Sequence, residues 1–92
     1  MRPGEIIRTA LFTFGPEKQK MMAVEECSEL INALAKEQSG RVKDEDVITE
    51  IADVMIMMEQ LAVLYGQGLV EAEKARKLDR LEERIRKMSE DI

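Results

Sequence analysis

Five carboxylates stand in two short clusters, and they are the residues of this chain most able to do chemistry. The first cluster is Glu25, Glu26 and Glu29, and the second is Glu50 and Asp53. Because a helix turns about 100° per residue, the members of each cluster share one face of a helix. Two such helices packed side by side would bring five negative charges together, and only cations would stabilise that arrangement.

The ordinary explanation of a charge run is a solvated helix face, and two features argue against it. Glu25 and Glu29 are like charges four residues apart, which costs a few tenths of a kcal/mol unless something neutralises them. Glu50 and Asp53 lie inside the most apolar segment, where ionised groups are costly to desolvate. Lysine and arginine are scarce between Val24 and Lys74. Carboxylate oxygens without histidine partners favour Mg²⁺, Mn²⁺ or Ca²⁺ over zinc.

The composition predicts one small domain covering residues 1–92 and built from helices. Apolar residues make up 45% of the chain and aromatic residues only 3%, so the core must be aliphatic. A net charge of -5 argues against nucleic-acid binding. No apolar run approaches the ~20 residues that span a bilayer, so no membrane partner is expected. The single cysteine and the lack of a signal-peptide pattern favour a cytoplasmic protein. Histidine is absent, so catalysis would depend on carboxylates, lysine, arginine or metal-bound water.

Apolar periodicity predicts an all-α bundle of about four helices, one short and N-terminal and three long. The predicted ranges are Glu5 to Phe14, Pro16 to Gln38, a helix capped by Asp44 and ending near Tyr65, and Val70 to about Met88, with Gln67-Gly68 as a turn. The last helix has a heptad-like seam of Leu78, Leu81, Ile85 and Met88.

Apolar stripes predict which helix faces are buried. In the second helix the apolar arc is expected to lie roughly opposite the three glutamates, and it consists of Ala23, Val24, Cys27, Leu30, Ile31, Leu34 and Ala35. The main stripe predicted for the third helix is Val47, Ile51, Val54, Met58, Leu61 and Tyr65. Because the third helix is apolar nearly all round, it needs cover from another subunit, so a homo-oligomer is expected.

The acidic pattern resembles the signature of a known enzyme superfamily. It reads E-E-x-x-E, then twenty residues, then E-x-x-D, and it resembles that of the all-α NTP pyrophosphatases, which include MazG-like nucleotide pyrophosphohydrolases and phosphoribosyl-ATP pyrophosphohydrolase. The preceding FGPEKQKMMAVEE and the tail EKARKLDRLEERI are similar to flanks of small MazG-like proteins. The resemblance therefore covers most of the chain.

The resemblance implies a MazG-like bundle, assembled as a dimer or tetramer, that uses Mg²⁺ or Mn²⁺ to hydrolyse a nucleoside triphosphate to the monophosphate and pyrophosphate. Removal of non-standard nucleotides is the role it suggests. The implied metal ligands are Glu26, Glu29, Glu50 and Asp53, and the implied catalytic residues are Glu25 and Glu26. Substrate contacts are assigned to Gln19, Gln60, Lys74, Lys77 and Arg80.

Alternatives to this function remain open from the sequence. A phosphoribosyl-ATP pyrophosphohydrolase would perform the same chemistry on a biosynthetic substrate. A non-catalytic helical protein would use its bundle for assembly, and its acids would be satisfied by lysine or arginine. The basic residues of the last helix could likewise pair with the acids of that helix on a solvated face.

Overall fold

A computed structural model describes residues 1–90, and within that range the chain consists of four helices and no strand. The helices are α1 (Pro3–Phe14), α2 (Pro16–Gln38), α3 (Asp44–Tyr65) and α4 (Gln67–Glu90). The all-α prediction of one short and three long helices is confirmed. No helix among these residues is long and apolar enough to cross a bilayer.

Glycines end α1 and α2 at the positions that the sequence predicts. Gly15 has a φ of 89°, and its N–H donates to the carbonyl oxygen of Leu11 at 3.0 Å, while Pro16 begins α2. Gly40 has a φ of 73°, and its N–H donates to the carbonyl oxygen of Glu37 at 2.9 Å. Both conformations lie in the left-handed half of φ space, where glycine carries no Cβ penalty.

Helix α1 begins at Pro3 and not at the predicted Glu5, and two further predicted boundaries are wrong. Lys43, not Asp44, occupies the N-cap of α3, and the Asp46 carboxylate accepts the backbone N–H of Lys43 at 3.0 Å. Gln67-Gly68 is not a turn but the start of α4. Gly66 alone, with a φ of 115°, separates α3 from α4.

The antiparallel pair of α2 and α3 is the centre of the fold. Gln19 meets Gln60 near one end of the pair, and farther along Glu26 neighbours Asp53, so the two helices run in opposite directions. Helix α1 packs against both of them, whereas α4 packs against α3 alone. The buried apolar side chains of these elements are Leu11, Ala23, Ala33, Val47 and Met57.

The predicted position of the acids on α2 is wrong in one respect. Glu26 lies on the side of α2 that faces α3, between the buried Ala23 and Ala33, and not opposite the buried side. The helix is apolar on two sides, and hydrophobic periodicity alone does not select between them.

The main apolar stripe predicted for α3 is also only partly buried. Val47 is buried, but Ile51, Met58 and Tyr65 are exposed. The face that meets α2 instead includes the buried Gln60. Within one chain, α3 therefore buries a mixed polar and apolar face and leaves much of its widest apolar stripe uncovered.

The chain is more extended than a folded protein of its size. Its radius of gyration is 16.7 Å, against about 12 Å for a compact domain of this length. Its accessible surface is 7386 Å², roughly 2,000 Å² more than a compact monomer of 10.5 kDa exposes. Every residue of α4 is exposed, so this helix accounts for part of the excess.

Candidate metal centre

Three of the predicted metal ligands meet between α2 and α3. One carboxylate oxygen from each of Glu26, Glu29 and Glu50 lies within 4.8 Å of those from the other two. Asp53 is close enough for its charge to act on both Glu26 and Glu50. The antiparallel packing brings two clusters that are twenty residues apart in sequence into one group of four acids, called here the carboxylate cluster.

Two oxygen atoms of the carboxylate cluster have neither water access nor a hydrogen-bond partner. They are Oε2 of Glu26 and Oε2 of Glu50. The ion pairs found within residues 1–90 engage Glu17, Glu73, Glu82 and Glu83, and none involves the carboxylate cluster. An ionised carboxylate that has lost hydration without gaining a partner is unstable. A bound cation or a proton at this position would offset the lost hydration.

Neighbouring carboxylates also raise the proton affinity of Glu26 and Glu50. Loss of hydration raises the pKa of Glu26, and the charges of Glu29 and Asp53 raise it further. The pKa of Glu50 is raised by the same causes in the same order, with an additional contribution from Asp46. Asp46 lies one turn before Glu50 on α3, a spacing that could have identified it as a neighbour of the cluster.

The donor set and its spacing fit a hard divalent cation. Ligand oxygens lie about 2.1 Å from Mg²⁺ and about 2.3–2.6 Å from Ca²⁺. The three glutamate oxygens lie within 4.8 Å of one another, close enough for all three to approach one such ion. Carboxylates without histidine or cysteine ligands are typical of Mg²⁺, Mn²⁺ and Ca²⁺ sites.

The raised pKa values predict how stability depends on pH. Because folded Glu26 holds its proton more tightly than a glutamate with the ordinary pKa of 4.5, its contribution to stability is greatest at low pH. That contribution is lost as the pH rises above 4.5 through the raised pKa. Without metal, the melting temperature of the wild type should therefore fall below that of Glu26→Gln as the pH rises.

A pH series of thermal melts, with chelator and with Mg²⁺, measures this effect. Mg²⁺ at 100 times its Kd should add about 2.7 kcal/mol to the free energy of unfolding. At a fixed Mg²⁺ concentration this stabilisation should increase with pH, because protons compete with the ion for the same oxygens. The exposed neighbouring variant Glu25→Gln is the control, and its difference from the wild type should stay flat. The prediction is contradicted if, in chelator, the melting temperature of the wild type approaches that of Glu26→Gln as the pH rises.

Glu25 lies outside the carboxylate cluster. It is exposed and about 100° around α2 from Glu26. Its side chain is free to approach a substrate from the solvent side of α2. Its assignment as a catalytic residue remains a prediction.

Gln19 and Gln60, both assigned to substrate contact from the sequence, form a buried pair. The side-chain amide of Gln19 donates to Oε1 of Gln60 at 2.8 Å, and only 6% and 3% of the two residues is exposed. Gln60 Nε2 also donates a weak bond to Met57 Sδ at 3.8 Å. The pair joins α2 to α3, a role that the sequence analysis missed because 41 positions separate the two residues.

Lys74, Lys77 and Arg80 are not brought to the carboxylate cluster within one chain. All three are exposed on α4, and Lys77 and Arg80 line a surface depression formed by that helix alone. In the part of the chain that the structure describes, no ion pair or hydrogen bond links them to the cluster. Their contact with substrate phosphate remains a prediction.

Searches of protein-family models, curated proteins and solved structures found no match to this chain.

Proposed function

We propose that this chain is a Mg²⁺-dependent nucleoside triphosphate pyrophosphohydrolase. Water would attack the α-phosphate of a nucleoside or deoxynucleoside triphosphate, giving the monophosphate and pyrophosphate. The observation that carries the proposal is the carboxylate cluster, with three glutamate oxygens within 4.8 Å and two buried oxygens lacking partners. The E-E-x-x-E and E-x-x-D motifs supply the substrate class by resemblance.

The five acids divide into two roles in this proposal. Glu26, Glu29, Glu50 and Asp53 hold the metal. When bound, Mg²⁺ supplies a water of lowered pKa and offsets negative charge on the phosphates. Glu25, exposed beside the cluster, orients the attacking water and accepts its proton. A carboxylate can act as this base, so the lack of histidine is no obstacle.

We also propose that the active form is a homodimer or a tetramer. The support is physical: the single chain leaves roughly 2,000 Å² more surface exposed than a compact monomer of its mass. Much of that surface is aliphatic, including Ile31, Ile51, Met58 and Leu81.

A pyrophosphate-release assay over a panel of canonical and modified NTPs and dNTPs tests the reaction. Loss of a partner in the outer shell of a metal site costs about 10–100-fold, so loss of a ligand in Glu29→Gln or Asp53→Asn should cost at least about 100-fold. The control is Asp79→Asn, a matched change on exposed α4, which should retain activity.

Four outcomes would overturn parts of the proposal. Activity that survives both Glu29→Gln and Asp53→Asn would exclude the assigned site. Release of single phosphates would exclude the reaction. A preference for phosphoribosyl-ATP would favour the biosynthetic alternative, and a folded protein indifferent to both Mg²⁺ and nucleotides would favour a non-catalytic assembly role.

A further inference from the structure

Helices α2 and α3 form an apolar groove. The groove has a volume of about 510 Å³ and is lined mainly by Val24, Cys27, Ile31, Met58, Leu61 and Tyr65; it is called here the α2–α3 groove. Cys27 in this groove and Glu29 in the cluster point about 160° apart around α2. On α3 the groove residues lie farther along the helix than Glu50 and Asp53, so the groove and the metal centre occupy different parts of the helix pair.

Helix α4 carries a second uncovered apolar surface. Leu78, Leu81, Ile85 and Met88 recur at steps of three and four residues, so they form one stripe along the helix. This stripe, called here the α4 seam, is 46–68% exposed. Since α4 packs only against α3, nothing in the described chain covers the seam.

The uncovered area indicates what kind of partner the two surfaces need. Obligate homodimers bury about 1,000–2,500 Å² on each partner. The excess exposure of roughly 2,000 Å² per chain falls in this range, whereas a weak transient contact would bury far less. A second copy of the chain brings both a seam and a groove, so it can cover both surfaces at once.

We propose that the α4 seam of one copy packs into the α2–α3 groove of a second copy, and the reverse, so that two chains exchange their α4 helices. The arrangement is closed and twofold, and it leaves no seam or groove free for further copies. Because none of the four acids of the carboxylate cluster lines the groove, the seam would not have to cover the metal centre in the dimer. The proposal depends on the uncovered apolar surfaces and does not depend on the pyrophosphohydrolase activity.

The native cysteine makes the contact testable. Cys27 is the only cysteine in the chain and lies near the middle of the groove, and Leu81 lies near the middle of the seam. The two midpoints meet whichever way α4 runs along the groove. Wild type mixed with Cys27→Ser/Leu81→Cys, unfolded and refolded together, should give a crosslinked heterodimer with a short bismaleimide.

The matched control is Cys27→Ser/Glu83→Cys, whose cysteine lies about 160° around α4 from position 81 and should crosslink only at background. In sedimentation equilibrium, the wild type should be dimeric, and Leu81→Asp and Ile31→Asp should each be monomeric with helical circular dichroism retained. Phe12→Asp, an equally apolar and 81% exposed site outside both surfaces, should remain dimeric.

Several outcomes would overturn the exchange. A monomeric wild type excludes any dimer. A dimer in which position 81 of one copy crosslinks to position 81 of the other places α4 outside the groove. The same conclusion follows if position 83 crosslinks to Cys27 as readily as position 81 does. A dimer that survives both Leu81→Asp and Ile31→Asp excludes these surfaces as the interface. Loss of catalysis in an intact, correctly crosslinked dimer would count against the proposed function alone.

Discussion

Replacing Glu50 with glutamine is expected to abolish pyrophosphate release and, at the same time, to raise the melting temperature of the metal-free protein. Oε2 of Glu50 is buried without a partner, and both loss of hydration and the charge of Glu29 raise the pKa of this carboxyl. Removing the charge relieves the repulsion, so the metal-free fold gains stability. The same change removes a metal ligand, so activity should fall at least about 100-fold.

Melting temperatures measured in chelator and in millimolar Mg²⁺ separate the two effects of Glu50→Gln. The wild type should gain stability from Mg²⁺ and the variant should gain little, so their order reverses when the metal is added. Glu59→Gln is the control, because Glu59 is exposed on the opposite side of α3. A Glu50→Gln protein that is less stable than wild type in chelator would falsify the view that Glu50 is an uncompensated charge.

The second large effect is expected at the buried amide pair. Gln60→Leu leaves the buried amide of Gln19 without its partner, which should cost about 1–3 kcal/mol. For a chain of this length that corresponds to a fall of roughly 4–20 °C in melting temperature. The double variant Gln19→Leu/Gln60→Leu should lie close to wild type, since neither helix then buries an unpaired amide.

A double-mutant cycle with activity measured in parallel shows what the two amides do. Gln38→Leu, at the exposed end of α2, is the control and should change stability by no more than about 0.5 kcal/mol. If the double variant is stable and fully active, the sequence-based assignment of both residues to substrate contact is wrong. If it is stable but has a raised KM, that assignment holds and the pair has both roles.

The sequence predicts the helices well because their ends depend on local chemistry. Gly15-Pro16 and Gly40 impose backbone conformations that end one helix or begin the next, whatever packs around them. The errors at the starts of α3 and α4 have the same origin. Asp44 could serve as an N-cap or as a first-turn acid, and Gly66 could reverse the chain with or without help from Gln67-Gly68.

The sequence predicts the buried faces less well because burial depends on partners. Hydrophobic periodicity places apolar stripes toward a core, but Glu26 sits on the inner face of α2 with Ala23. A proton or a cation would offset the loss of hydration at such a position, and that contribution is absent from any hydrophobic pattern. The exposed Ile31 and Met58 show the complementary case, an apolar surface that no part of the described chain covers.

Gly66 also sets the rotational phase of α4 relative to α3. One residue joins the two helices, so its single pair of backbone dihedrals fixes the direction in which the α4 seam points relative to α3. A Cβ at this position would lie 3.2 Å from Cδ1 of Leu69, and its φ of 115° suits glycine. One residue added at this position would rotate α4 by about 100° about its own axis. The number of residues at this junction therefore determines which way the α4 seam faces.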